Sequence, residues 1–142
     1  MPVNPNPTPA SLADYPGFDR LIGLQITEAG PDRVVASLEV TPDHHQPFGV
    51  LHGGVLATMV ETVASVGSAH WFGDRGTIVG VANSTDFYRA TREGTVTAVG
   101  TPLHQGRSSQ VWLVEITDEQ GRRVARGQLR VANLERRDPA GA

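Results

Sequence analysis

Apolar and polar side chains alternate along residues 34–40: Val34, Ala36, Leu38 and Val40 on one side, Val35, Ser37 and Glu39 on the other. That period of two predicts a strand with one covered face. With the turn residues Gly30-Pro31-Asp32 before it, "LQITEAGPDRVVASLEV" reads as strand, turn and strand. From about Gly53 to His70 the pattern changes. These residues lack proline and are apolar around most of a helical circumference, the only long helix the chain predicts. Four long strands are expected afterwards, at about 77–88, 95–105, 108–117 and 123–133. Gln105-Gly106-Arg107 and Asp118 to Gly121 supply turns between antiparallel neighbours. Upstream, "SLADYPGFDRLIG" predicts a short helix, with Asp19 capping a last turn before Gly23. The sum is an α+β domain over 18–134, in which one long helix is buried against an antiparallel β-sheet. The proline-rich segment 1–17 reads as a flexible N-terminal tail, and 135–142 as a disordered C-terminal one. One helix on one sheet leaves a bare sheet edge and a wet helix flank, so pairing with a second copy is expected.

Charge and composition narrow the chemistry. The 142 residues carry a net charge of −3 with no basic block, which argues against a nucleic-acid or anionic-membrane surface. There is no cysteine, so disulfides, zinc–cysteine sites and thiol nucleophiles are excluded. All 12 basic residues are arginine. No span is as long and apolar as a membrane helix requires. "MPVNPNPTPA" has neither the basic nor the apolar region of a signal peptide, and a cytoplasmic protein is expected.

The predicted helix carries an acid in its middle. Thr58, Glu61, Thr62, Ser65 and Ser68 fall on one stripe at 100° per residue, with Glu61 near its centre. A lone Glu on a helix ordinarily faces solvent. Here the stripe consists of small hydroxyl residues, a poor solvent face, and a Gly-, His- and Gln-rich segment precedes it. Gly53 and Gly54 lie where the loop enters the helix, and the first amides of a helix have no internal partner. A carbonyl brought to the Gly53 amide would be polarised there, and glycine permits the approach. His52 could orient or donate to that carbonyl, and Gln46 could position a water or the same oxygen. His44 and His45 read as ordinary loop residues. The spacing of His44, His45, His52 and Glu61 is not that of metal ligands on a helix face, so no metal is expected.

Gln46-Pro-Phe-Gly49-x-x-His52-Gly53-Gly54, followed by Glu61, resembles the hotdog-fold acyl-CoA thioesterases. The similarity is greatest to the branch holding the phenylacetate-pathway, aryl-CoA and enterobactin-proofreading thioesterases, and it extends over about 20–134. The resemblance implies the hotdog fold, one long central helix wrapped by an antiparallel β-sheet, hydrolysis of an aryl- or medium-chain acyl-CoA, and no cofactor, since CoA is part of the substrate. It implies a homodimer with a continuous sheet and two shared active sites, usually doubled into a tetramer. Gln46, His52 and the Gly53 amide would come from one subunit, and Glu61 and Ser65 from the other. Glu61 would be general base or nucleophile, with Ser65 holding the water. Gly54 would join the substrate site, with Asn83, Thr85 and Tyr88 near the acyl end. Arg89, Arg92 and the turn Gly106, Arg107 and Ser108 would meet CoA, and Phe48, Met59, Phe72 and Val81 would line an acyl pocket. The enterobactin-type relatives have histidines where this chain has Phe87 and Tyr88, a departure that leaves the choice between CoA and carrier-protein thioesters open. The rival class is a non-catalytic acyl-CoA sensor; retention of Glu61 and the lack of a DNA-binding part favour the enzyme.

Overall fold

The computed structural model describes residues 16–137. A short helix α1 (Phe18–Ile22) leads into β1 (Gln25–Ala29) and β2 (Val34–Val40). A 3-10 turn (Pro42–His44) and a loop follow, then the long helix α2 (Gly53–Phe72) and the strands β3 (Gly76–Phe87), β4 (Gly94–Gln105), β5 (Ser109–Thr117) and β6 (Arg123–Glu135). All six strands form one antiparallel sheet in the order β1-β2-β4-β5-β6-β3.

The expected strands are present, with ends shifted by one or two residues, and the helix runs to Phe72. Two expectations need correcting. Asp19 does not cap α1: the helix closes on Gly23 in a left-handed conformation, and the Asp19 carboxylate instead accepts from the Thr62 hydroxyl at 2.6 Å, docking α1 on α2. Glu135, expected in the C-terminal tail, belongs to β6, because Gly76 of β3 pairs with it. The remainder of that expected tail from 138, and the N-terminal one up to 15, lie outside the described residues.

Helix α2 lies across the sheet, and the core forms between them. Leu56, Met59, Val60 and Val63 meet the inward side chains of β2, β4, β5 and β6, among them Leu38, Val96, Trp112 and Leu129, all under 4% exposed. Each such side chain contributes about 1.5–3 kcal/mol when buried. Contact is close because glycines stand at the crossing points. A Cβ on Gly67 of α2 would overlap the Trp112 ring, and one on Gly100 of β4 would stand 2.5 Å from Val63 Cγ1. Trp112 cannot swing aside. Its Nε1 donates to Gln110 Oε1 at 2.9 Å, and Gln110 Nε2 donates to Asn133 Oδ1 at 2.8 Å, both side chains being buried.

The sheet ends unevenly. β3 pairs with β6 on one side and has no strand on the other among the described residues. Along and beyond this bare edge Val79, Val81, Phe87 and Tyr88 are each about half exposed, an arrangement that soluble proteins ordinarily cover.

Gly67→Ala forces a methyl against the fixed indole. We expect a loss of about 1–3 kcal/mol in urea unfolding; an unchanged midpoint would show that the helix does not depend on this approach.

Candidate active site

The motif segment is a pinned loop. His44 is buried: its Nδ1 accepts from the Thr41 amide at 3.0 Å and its Nε2 donates to Ile22 O at 2.6 Å. The His45 ring donates to Arg92 O at 2.7 Å. These two histidines hold the loop base, as ordinary structural residues would. Between His45 and Leu51, which bridge, the chain makes a tight excursion through Gly49 at φ 75°. Gln46 closes the excursion from inside: its Oε1 accepts from the Phe48 amide, leaving its Nε2 protons unused among the described residues. Arg92 reaches Gly49 O at 3.2 Å, so this arginine buttresses the loop. Phe48 stands 84% exposed at the tip.

His52 is the N-cap of α2. Its Nδ1 accepts from the Gly54 amide at 2.8 Å. The proton of the neutral ring therefore sits on Nε2, which is a donor facing outward. The same bond occupies the Gly54 amide, whereas the Gly53 amide makes no hydrogen bond among the described residues. The Phe87 ring lies over Gly53, 3.0 Å from where a Cβ would be. The start of the helix thus carries two donors unused among the described residues, His52 Nε2 and the Gly53 amide, with the Phe87 ring over Gly53, while Gln46 lies in the loop that leads into it. That role for Phe87 was not read from the sequence, since nothing in it relates a strand end to a helix start some 34 positions away.

Glu61 occupies a second place. It is half-buried, as are Thr58, Thr62 and Ser65, while Ser68 is wholly buried. The stripe faces protein, and its hydroxyls divide: Thr58 bonds back to Gly54 O at 2.8 Å, and Thr62 holds Asp19. The Glu61 carboxylate lies against β3. Its Oε2 accepts from Asn83 Nδ2 at 3.1 Å, and its Oε1 would be 2.5 Å from a Cβ on Gly80. Asn83 also donates to Ala57 O at 2.9 Å, and Thr85 donates to Asn83 Oδ1 at 2.7 Å. Asn83 and Thr85 are therefore brought to Glu61. The contribution of Gly80 escaped the sequence reading, although a glycine inside a strand signals a bulge or a close approach, and the β3–β6 register shifts between Gly80 and Ala82.

The other expected residues are dispersed. Met59 and Phe72 are buried, 0% and 2% exposed; Met59 packs in the core between helix and sheet, and the Arg75 guanidinium lies 4.8 Å from the centre of the Phe72 ring. Val81 faces outward at the bare edge. Tyr88 and Arg89 follow β3, both amides bonded to Val124 O. Gly106, Arg107 and Ser108 form the β4–β5 turn. Asn133 fastens that turn through Gly106 O and Ser108 O, and Arg107 pairs loosely with Glu135 at 3.4 Å. Among the described residues no group of three or more His, Asp or Glu is placed to hold a metal ion.

Known proteins are similar to this chain in sequence and fold. Residues 48–125 match the model of the thioesterase superfamily. A Mycobacterium tuberculosis protein named as an esterase is 48% identical over 139 residues, spanning 95% of this chain and 99% of its own. Its solved structure superposes with a TM-score of 0.82 over 84% of this chain and 98% of that one, at 49% identity. The proofreading thioesterase EntH of Cronobacter turicensis is 40% identical over 78% of this chain and 81% of its own. The 1,4-dihydroxy-2-naphthoyl-CoA hydrolase of Listeria monocytogenes is 38% identical over 72% and 84%.

Capping by His52 has a measurable consequence. His52→Ala leaves the Gly54 amide without its acceptor and should lower stability by about 1 kcal/mol, whereas His52→Asn, a strong N-cap, should restore it. Equal unfolding midpoints for the two variants would disprove the cap.

Proposed function

Because the chain belongs to the thioesterase superfamily, shares its hotdog fold and is a thioester hydrolase, we propose that it cleaves an aryl- or medium-chain acyl-CoA to the free acid and CoA, at sites each built from two copies. The observation that carries this reading is the Glu61 carboxylate, held half-buried at the bare β3 edge instead of in bulk water. An aromatic acyl-CoA is the substrate named for the Listeria relative, and Phe87 over Gly53 offers an aromatic wall beside the donors.

The need for two copies follows from helix geometry. Gly53 and Glu61 are eight residues apart on one helix, roughly 12 Å along its axis. Helical amides point toward the N-terminus, so a carbonyl oxygen bonded to the Gly53 amide lies on the side away from Glu61. Donors and base must both lie within about 3 Å of the groups they serve. One chain cannot bring both to the same ester. Two copies joined antiparallel along β3 run their helices in opposite directions, setting the Gly53 end of one beside Glu61 of the other and covering Val79 and Val81.

In this site the thioester oxygen takes the Gly53 amide, with His52 Nε2 and Gln46 Nε2 as further donors. A water held by Ser65 gives a proton to Glu61 as its oxygen bonds to the thioester carbon. Negative charge moves to the carbonyl oxygen, where the donors stabilise it. When the carbonyl re-forms, the carbon–sulfur bond breaks and the CoA sulfur takes the proton from Glu61. The turn Gly106, Arg107 and Ser108, with Arg89, supplies cationic and amide contacts for CoA phosphates.

A general base contributes ~10²–10⁴-fold. Glu61→Ala should therefore reduce thiol release from an acyl-CoA panel at least about a hundredfold, with the fold and oligomer intact. Co-expressing Glu61→Ala and His52→Ala chains at equal levels should restore about one quarter of wild-type activity, since half the dimers are mixed and each mixed dimer has one intact site. Mixed dimers that stay inactive, or a wild-type chain that sediments as a monomer at micromolar concentration, would overturn the shared site.

A further inference from the structure

We infer that Asn83, oriented by Thr85, and Gly80 together position the Glu61 carboxylate, and that Asn83 and Thr85 are not contacts for the acyl group. The inference rests on the reading of Glu61 as the base and adds residues to it.

The hydrogen bonds at Asn83 leave little freedom. Ala57 O is a backbone carbonyl and can only accept, so the atom 2.9 Å from it must be the amide nitrogen of Asn83. The second proton of that nitrogen is directed to Glu61 Oε2 at 3.1 Å. The Asn83 oxygen then faces Thr85, whose hydroxyl donates to it at 2.7 Å. Both amide protons are used inside the chain, leaving none for a substrate. Thr85 is held in turn over Gly127 of β6, where a Cβ would stand 2.6 Å from its Oγ1. The chain of contacts runs from β6 through Thr85 and Asn83 to the carboxylate.

The other carboxylate oxygen is confined by shape. Glu61 Oε1 occupies the space a side chain at Gly80 would fill. Gly80 borders the register shift in β3, where Val81 is the additional residue relative to β6. A notch without a side chain on one oxygen and a hydrogen bond on the other fix where the carboxylate points. A half-buried Glu side chain has three rotatable bonds, and a displacement of about 1 Å can cost 10²-fold in rate.

Positioning and acyl contact give different kinetics. Asn83→Ala should lower kcat about 10- to 100-fold, by the same factor for aryl and straight-chain acyl-CoAs, with KM within about twofold of wild type. Thr85→Val, nearly isosteric, should lower kcat severalfold alone and have no further effect in the Asn83→Ala background, because it acts through Asn83; Thr85→Ser should recover the rate. Gly80→Ala should reproduce the kcat loss by displacing Oε1. Circular dichroism and elution volume verify that each variant keeps its fold and oligomer, and Thr85→Val serves where Asn83→Ala does not. Losses that differ between acyl groups and appear in KM would assign Asn83 to the substrate and overturn the inference, as would an additive Thr85→Val effect. Glu61→Gln is measured in parallel. If it turns over at the wild-type rate, the reading of Glu61 as base fails; if it is inactive while Asn83→Ala is fully active, only the positioning role fails.

Discussion

The closeness with which helix α2 is seated on the sheet is the constraint on which the other features depend. Gly67 takes the Trp112 ring directly against the helix backbone, Gly100 admits Val63, and Gly127 admits both Val60 and Thr85. Trp112 is in turn fixed through Gln110 and Asn133. Larger residues at these crossings would lift the helix, and Glu61 would lose the β3 backbone against which it now rests. The core therefore also sets the height and rotation of the candidate catalytic acid.

The buried polar network extends that influence to the far end of the sheet. Gln110 donates to Ser68 O in α2 as well as to Asn133, and Asn133 fastens Gly106 O in the β4–β5 turn. A polar group sealed in a core is tolerated when its hydrogen bonds are met. Here meeting them joins the helix, two strands and a surface turn into one unit. At the opposite end of α2, His52 closes the helix and His44, His45 and Arg92 hold the loop that precedes it. The donors of Gln46, His52 and Gly53 thus stand on a supported frame, and the acid stands on another.

Much of this was legible in the residues. Period-two alternation located β2 with the correct inward face, because a strand buries every second side chain. The long proline-free apolar run identified α2, and Gly53 marked its start. The stripe centred on Glu61 was unusual enough to point to chemistry, since small hydroxyl residues make a poor solvent face. Asp19 was misread because a carboxylate near a helix end ordinarily caps it, whereas a tertiary contact with Thr62 prevailed. Met59 and Phe72 are both buried, and which buried apolar residues border a substrate is a property of packing that no local pattern expresses.

The sequence by itself determined the elements, their order, the glycine-led helix and the identities of the polar groups, because these follow from side-chain periodicity, turn chemistry and a motif only nine residues long. Tertiary structure alone decided which groups meet. Strand β3 crosses to the far edge of the sheet and brings Gly80, Asn83 and Thr85 to Glu61 and Phe87 to Gly53. The same geometry holds Gly53 and Glu61 apart on one rigid helix. Such meetings depend on strand order and on the depth at which the helix sits, quantities set by the packing of the whole core and written in no single segment of the chain.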